Sequence, residues 1–274
     1  LKIKGQVGNF IELVELLRMK SMFGDVVIKA EKETNRIVSS QQHSGGMYYR
    51  FLEYYGLQVI DSGVAKFSSD SMIKTLKRLF ASGEEITIKT ENEFVVISGE
   101  KCKRYMPLID IDEVEMQDVD KLKLKVENQT PYLKNPEGNP IPLENKVIIS
   151  YEEFKKLLKM SSLNEIVDQW VFEIEDNKFS VSVGDLFQTK NLVSFNPSVV
   201  YTEAKENVKV KVTTGIKDLA STLTGDVEIF FKTGMPVIFH QKTKDYEMWV
   251  AIPPAMETEI VKSEEMEYEM PVEE

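Results

Sequence analysis

The chain repeats itself. An amphipathic helical stretch, a set of short strands, a second amphipathic stretch and closing hairpins run once before residue 117 and again after residue 145. A pattern that restarts in this way restricts the fold to two similar α+β units, because runs of period 3.6 and period two bury their apolar residues on different kinds of face.

In the first half, Phe10, Leu13, Val14 and Leu17 share one face of a helix over Gly8 to Arg18. Asn9 is its expected cap, and Glu12 stands at the capping-box position. Strands are expected at Val26 to Ala30, Met47 to Leu52 and Leu57 to Ile60. A second helix, Ser71 to Phe80, turns Met72, Ile73, Leu76, Leu79 and Phe80 inward and stops at Ser82-Gly83. Ile86 to Lys89 and Phe94 to Ile97 flank Glu91-Asn92-Glu93 as a hairpin, and a further strand spans Arg104 to Asp112.

The second half starts again with a strand at Lys146 to Ile149. Ser150 and Glu153 then form a second capping box, opening a helix that buries Phe154, Leu157 and Leu158. Strands follow at Trp170 to Ile174, Lys178 to Val183 and Val208 to Val212. Ile216, Leu219, Ala220 and Leu223 line a fourth helix, and Val227 to Phe231, Met235 to Phe239 and Tyr246 to Ile252 close the half. Between the halves, the polar stretch from Glu113 to Asn145 carries Pro131, Pro136, Gly138, Pro140 and Pro142 and reads as a linker.

The formal net charge of −11 argues at first against nucleic acid. From Glu257 onward, however, eight acids face the single Lys262, so that tail carries −7 and leaves −4 for residues 1–256. Such a tail is expected to be solvated and disordered. In the body, cations gather on the helices. Lys74, Lys77 and Arg78 stand opposite the apolar stripe of the second, Lys155, Lys156 and Lys159 on the third, Arg18 and Lys20 at the end of the first, and Lys217 on the fourth. Repetition of this placement predicts a positive surface for phosphates, without a base-reading motif.

Other functions find little purchase. His43 and His240 are the only histidines, and the sequence has no Gly-rich phosphate loop, metal-ligand cluster or nucleophile elbow, so no enzyme and no cofactor is expected. Cys102 is the only cysteine, which favours a reducing, intracellular setting. No apolar run is long enough to span a bilayer, so no membrane association is expected.

The chain resembles the sliding clamps of the proliferating cell nuclear antigen (PCNA) family over about residues 1–256. Ser71-Met72-Ile73-Lys74-Thr75-Leu76-Lys77-Arg78 before Gly83-Glu84-Glu85, Leu108-Ile109-Asp110-Ile111-Asp112, Lys146-Val147-Ile148-Ile149, Met235-Pro236-Val237-Ile238-Phe239 and Trp249-Val250-Ala251-Ile252-Pro253 carry the likeness. It implies clamp domains at 1–117 and 145–256, a connecting loop at 118–144 and an acidic tail at 257–274. Each domain would place antiparallel sheets outside and two helices inside, and the whole would assemble into a ring. Three copies would surround double-stranded DNA, with Arg18, Lys20, Lys74, Lys77, Arg78, Lys155, Lys156, Lys159 and Lys217 facing it. The ring would tether a DNA polymerase, a clamp loader and other peptide-bearing replication proteins.

A partner peptide would dock in a pocket of His43, Ile141, Pro142, Leu143, Met235, Pro236, Val250, Ile252 and Pro253. Copies would meet through Tyr105, Ile109 and Ile111 on one side and Phe179 and Val181 on the other. The location implied is cytoplasm or nucleoid for an archaeal or viral source and nucleus for a eukaryotic one. A heterotrimeric, checkpoint-type or viral accessory clamp subunit stays open, as does a peptide-binding scaffold that never touches DNA.

Overall fold

The computed structural model describes residues 1–20, 22–43, 48–134, 139–161, 169–184, 193–212, 216, 219 and 222–255. Lys217, Ala220, the side chain of Leu158 and the tail at 257–274 lie outside them.

The first half runs β1 (Lys2–Gln6), α1 (Val7–Arg18), β2 (Asp25–Glu31), β3 (Arg36–Gln42), β4 (Tyr49–Tyr54), β5 (Gln58–Asp61), β6 (Gly63–Ser68), α2 (Ser69–Leu79), β7 (Glu85–Glu91), β8 (Phe94–Ser98) and β9 (Lys103–Pro107). The connection holds α3 (Glu113–Asp118), β10 (Lys125–Glu127), β11 (Thr130–Lys134) and β12 (Pro140–Pro142). The second half runs β13 (Asn145–Ile149), α4 (Tyr151–Ser161), β14 (Trp170–Glu175), β15 (Lys178–Val183), β16 (Val193–Phe195), β17 (Val199–Glu203), β18 (Val208–Val212), β19 (Val227–Phe231), β20 (Val237–Lys242) and β21 (Tyr246–Ile252). The fold is α+β, and each pairing among the described strands is antiparallel. No described helix is long and apolar enough to cross a membrane.

The repeat read from the sequence is a repeat of topology. The strand order β5-β1-β7-β8-β9 of the first half recurs as β17-β13-β19-β20-β21, and β4-β3-β2-β6 recurs as β16-β15-β14-β18. The halves are fused because β21 pairs with β4, from Tyr246 opposite Tyr54 to Ala251 opposite Tyr49, making one nine-stranded sheet. Even the exits from the two halves match. The Ile109 N–H after β9 donates to Lys66 O on β6, and the Ala255 N–H after β21 donates to Lys211 O on β18.

One apolar core runs beneath both halves. It takes Phe10, Val14 and Leu17 from α1, Met72, Ile73 and Leu76 from α2, and Phe154 and Leu157 from α4, with Ile216, Leu219 and Leu223 completing it in the second half. Trp170, Phe172, Phe179, Phe231 and Phe239 form its aromatic centre.

Several local expectations are corrected. Asn9 does not cap α1. The helix begins directly at the end of β1, where the N–H groups of Val7 and Gly8 donate to Glu84 O and Ser82 O, and Asn9 donates instead to Gly56 O at 2.7 Å. Glu12 accepts from the Tyr54 hydroxyl at 2.7 Å rather than from the helix start. The second box is half formed: Glu153 N–H donates to Ser150 Oγ at 3.4 Å, but the Glu153 carboxylate turns to Ser198 N–H and Lys156. Leu79 points to solvent, 46% exposed, while Phe80 is buried. The strand expected to reach Asp112 ends at Pro107, where β8 runs out, and Leu108 N–H returns to Glu93 O.

The linker is not featureless. Asp112 and Glu115 form a complete capping box at α3, and β10, β11 and β12 form a small sheet. Asn128 and Gln129 turn between β10 and β11 with φ of 50° and 65°, a hairpin turn whose signal is weak because Gln replaces the usual Gly.

Candidate functional site

Period-two alternation sorts the nine-stranded sheet into two faces. Residues facing the helices join the main core: Val227, Ile229 and Phe231 on β19, Val237 and Phe239 on β20, Tyr246, Met248, Val250 and Ile252 on β21, and Leu52 and Tyr54 on β4. The alternate residues face outward and form a second cluster of Val38, Tyr49, Phe51, Phe230, Ile238 and Trp249. Leu122, Leu124, Val126, Leu133 and Leu143 of the connection lie on it. The linker is therefore apolar on its sheet-facing side and covers a groove running across the junction of the halves.

The linker is also tied down by polar contacts. Lys66 pairs with Glu115 at 2.8 Å, and Lys29 with Asp120. The Tyr49 hydroxyl donates to Lys121 O at 3.1 Å and accepts from Lys123 N–H at 2.7 Å. Burial raises the Tyr49 phenol above its usual value, so it stays a neutral donor. Tyr49→Phe leaves a carbonyl and an N–H without their partner, which costs about 1–3 kcal/mol locally. The expected result is faster amide exchange at residues 121–124, by roughly tenfold, with exchange in the aromatic core around Phe172 unchanged.

The residues expected in the peptide pocket divide. Leu143 belongs to the outer cluster and Met235 packs against it, while Ile141, Pro142, Pro236 and Pro253 are half-buried nearby in sequence. Val250 and Ile252 do not line it, because at 1% exposure each they face the helices. One residue of slip along a strand exchanges faces, and the outward residues of β21 are Glu247, Trp249 and Ala251. His43 also stands apart, its ring edge-on to Phe23 and Tyr48 of the inner core.

At one end of the same outer face lies a cavity of about 420 Å³, lined among others by Val126, Gln129, Glu228, His240, Glu247 and Trp249. His240 Nδ1 is 2.7 Å from Glu228 and Nε2 is 3.2 Å from Glu247, and its ring stacks on Trp249 at 3.8 Å. Burial alone would lower the imidazolium, but the two carboxylates outweigh it and raise His240 above 6.5. His240 first, with Lys242, holds Glu247 down at about 2.

Of the described helix cations, Lys74, Lys77, Arg78 and Lys156 are exposed and Lys155 partly so, whereas the Arg18 side chain is mostly covered. Arg18 pairs with Asp70 at 2.9 Å and Lys77 with Glu15 at 2.8 Å, so the two bonds cross between α1 and α2. Lys155 lies over the Tyr151 ring at 3.8 Å and Lys156 pairs with Glu153. Lys74 and Arg78 are exposed, without an ion pair among the described residues, and Lys20 and Lys159 are exposed too.

Strand edges complete the picture. β9 ends its sheet with Tyr105 47% exposed and edge-on to Phe94, and Ile109 and Ile111 follow, half-buried. Phe179 and Val181 are not at an edge. β15 lies between β14 and β16, and both side chains are buried in the core at 4% and 0%. The outermost strand on that side is β16.

Two antiparallel α+β units with one topology, fused edge to edge with helices on one face and a strap across the other, define a two-domain clamp fold. Known structures identify it as the fold of the PCNA clamps. A. fulgidus PCNA, solved with the C-terminal region of FEN-1 bound, matches with TM-score 0.70 at 11% identity, over 94% of this chain and 99% of that one. PCNA from Entamoeba histolytica matches with TM-score 0.69 at 14% identity, over 93% and 98%. PCNA from Thermococcus kodakaraensis matches with TM-score 0.67 at 16% identity, over 93% and 99%. No protein-family model and no curated protein sequence matches the chain.

Proposed function

We propose that this chain is a non-enzymatic DNA sliding clamp that closes with further copies into a ring around duplex DNA and tethers replication proteins on its outer groove. The observation that carries the reading is the pairing of β21 with β4 inside the chain. β9 is the topological equivalent of β21, and β16 of β4, yet among the described residues neither has the corresponding partner. Repeating the internal junction between copies joins β9 of one to β16 of the next. That contact is head-to-tail, and such contacts give rings when the rotation closes.

The helices would then line the hole. Their cations offer non-specific phosphate contacts, and encirclement replaces affinity as the means of retention. The outer groove, strapped by the linker, would take the apolar anchors of a partner peptide; A. fulgidus PCNA, of similar fold, is a clamp solved with the C-terminal region of FEN-1 bound.

The test is twofold. Solution mass should give a trimer, and loader-dependent retention should occur on nicked circular DNA but not on a linear duplex of equal length. A protein that stays monomeric at high concentration and alone fails the first. A mixed ring is the second reading, since a similar fold forms the PCNA2–PCNA3 complex of Sulfolobus tokodaii. Recovery of a trimer only after mixing with a second clamp-like chain would favour it.

A further inference from the structure

His240 lies on the face of the sheet away from the helices, in specific surroundings. Both ring nitrogens face carboxylate oxygens, Glu228 on β19 and Glu247 on β21. An ionised carboxylate only accepts, so both nitrogens must donate, and only the imidazolium can do so. The ring lies flat on Trp249 at 3.8 Å and 20°, and the Trp249 Nε1–H donates to the same Glu247 at 3.2 Å. Trp249 also stacks near Phe230 within the outer cluster.

We infer that the His240 imidazolium positions Trp249 as a wall of the outer groove and so makes docking of an apolar peptide anchor there pH-dependent. The docking half rests on the proposed peptide groove, whereas the His240–Trp249 coupling does not.

Lys146 on β13 pairs with Glu228 at 2.6 Å, Lys242 on β20 pairs with Glu247 at 2.6 Å, and Asp226 before β19 lines the same cavity. Glu53 on β4 stands opposite Glu247 and pairs with Arg36 of β3. Among the described residues, the linker contributes the uncharged Val126 and Gln129 to the cavity. With both lysines charged, removing the His240 proton leaves Glu228 and Glu247 each with one cationic partner fewer. It also removes the cation–π contact and leaves one imidazole lone pair facing a carboxylate.

The sign follows from His240 lying above 6.5 in the folded chain. The ordered wall is fully present below that value and is lost as pH rises through the raised one. A peptide anchored on Trp249 is expected to bind about fivefold more weakly above the transition than below it, the scale of one partly buried cation–π contact.

The full chain is titrated from pH 6 to 9 by tryptophan emission, and then with a labelled peptide of the A. fulgidus FEN-1 C-terminal region. A step in emission is expected that is absent in His240→Gln and in Trp249→Phe, since Trp249 is the tryptophan stacked on His240 and Trp170 lies apart in the inner core. Peptide affinity should follow that step in the wild type and be flat with pH in His240→Gln. No emission step, or one that survives His240→Gln, overturns the inference whatever the peptide does. A step with pH-independent affinity overturns its docking half. A step with no peptide binding at any pH overturns the groove reading while the His240–Trp249 coupling stands.

Discussion

Changing Lys74, Lys77 and Arg78 together to glutamate is expected to reduce loading onto nicked circular DNA by about two orders of magnitude at 0.1 M salt. The three side chains are exposed on α2, and Lys74 and Arg78 are unpaired among the described residues. Each copy loses three potential phosphate contacts and gains three repulsions. Because log affinity scales with log salt by about 0.9 per neutralised phosphate, a ring multiplies the effect by its copies. The fold should survive, since α2 keeps Met72, Ile73 and Leu76 in the core and its Ser68 cap. Only the Lys77–Glu15 pair is lost, and an exposed pair contributes little. Lys244→Glu, on the turn between β20 and β21, is the control and should load normally, its side chain being 90% exposed. The amount loaded by the clamp loader, with circular dichroism on each variant, checks this. A triple variant loaded like the wild type would place DNA elsewhere.

Tyr105→Glu is the second large effect, expected to weaken assembly by roughly thirtyfold or more per junction. The hairpin pairings Ile97–Arg104 and Phe239–Val250 occupy equivalent places, which puts Tyr105 at the position that Ala251 holds in the internal junction. In the single chain Tyr105 is half-exposed, in contact with Phe94 and with Lys103 above its ring, so glutamate there costs the isolated fold little. Within a junction it buries a charge beside Phe94. Sedimentation of the variant should show a monomer at concentrations where the wild type is assembled, with unchanged thermal unfolding of the monomer. An unaltered assembly would mean that copies do not meet at β9.

Much of this molecule was legible from its residues. The apolar faces of α1 and α2 and most strands of the second half follow from 3.6- and two-residue periods. Strands are not legible where polar residues interrupt the alternation, as in Arg36–Gln42 and Val199–Glu203, or where a linker composition hides β10 to β12. The cap of α1 was misread because its first N–H groups are satisfied from the β7 side of the chain, at Ser82 and Glu84, rather than by Asn9.

The repeat itself, the element order and the cations on the outward helix faces were thus determined by the sequence. Faces and edges were decided by the tertiary structure. On β21 the set Met248, Val250, Ile252 and the set Trp249, Ala251 are both apolar, because helices cover one side of the sheet and the linker covers the other. Alternation identifies two sets but not which one is outward when both are covered. For the same reason β15, flanked by β14 and β16, could be taken for an edge. An edge is an unpaired row of backbone groups, and pairing with a strand distant in sequence leaves no mark on the strand's own residues.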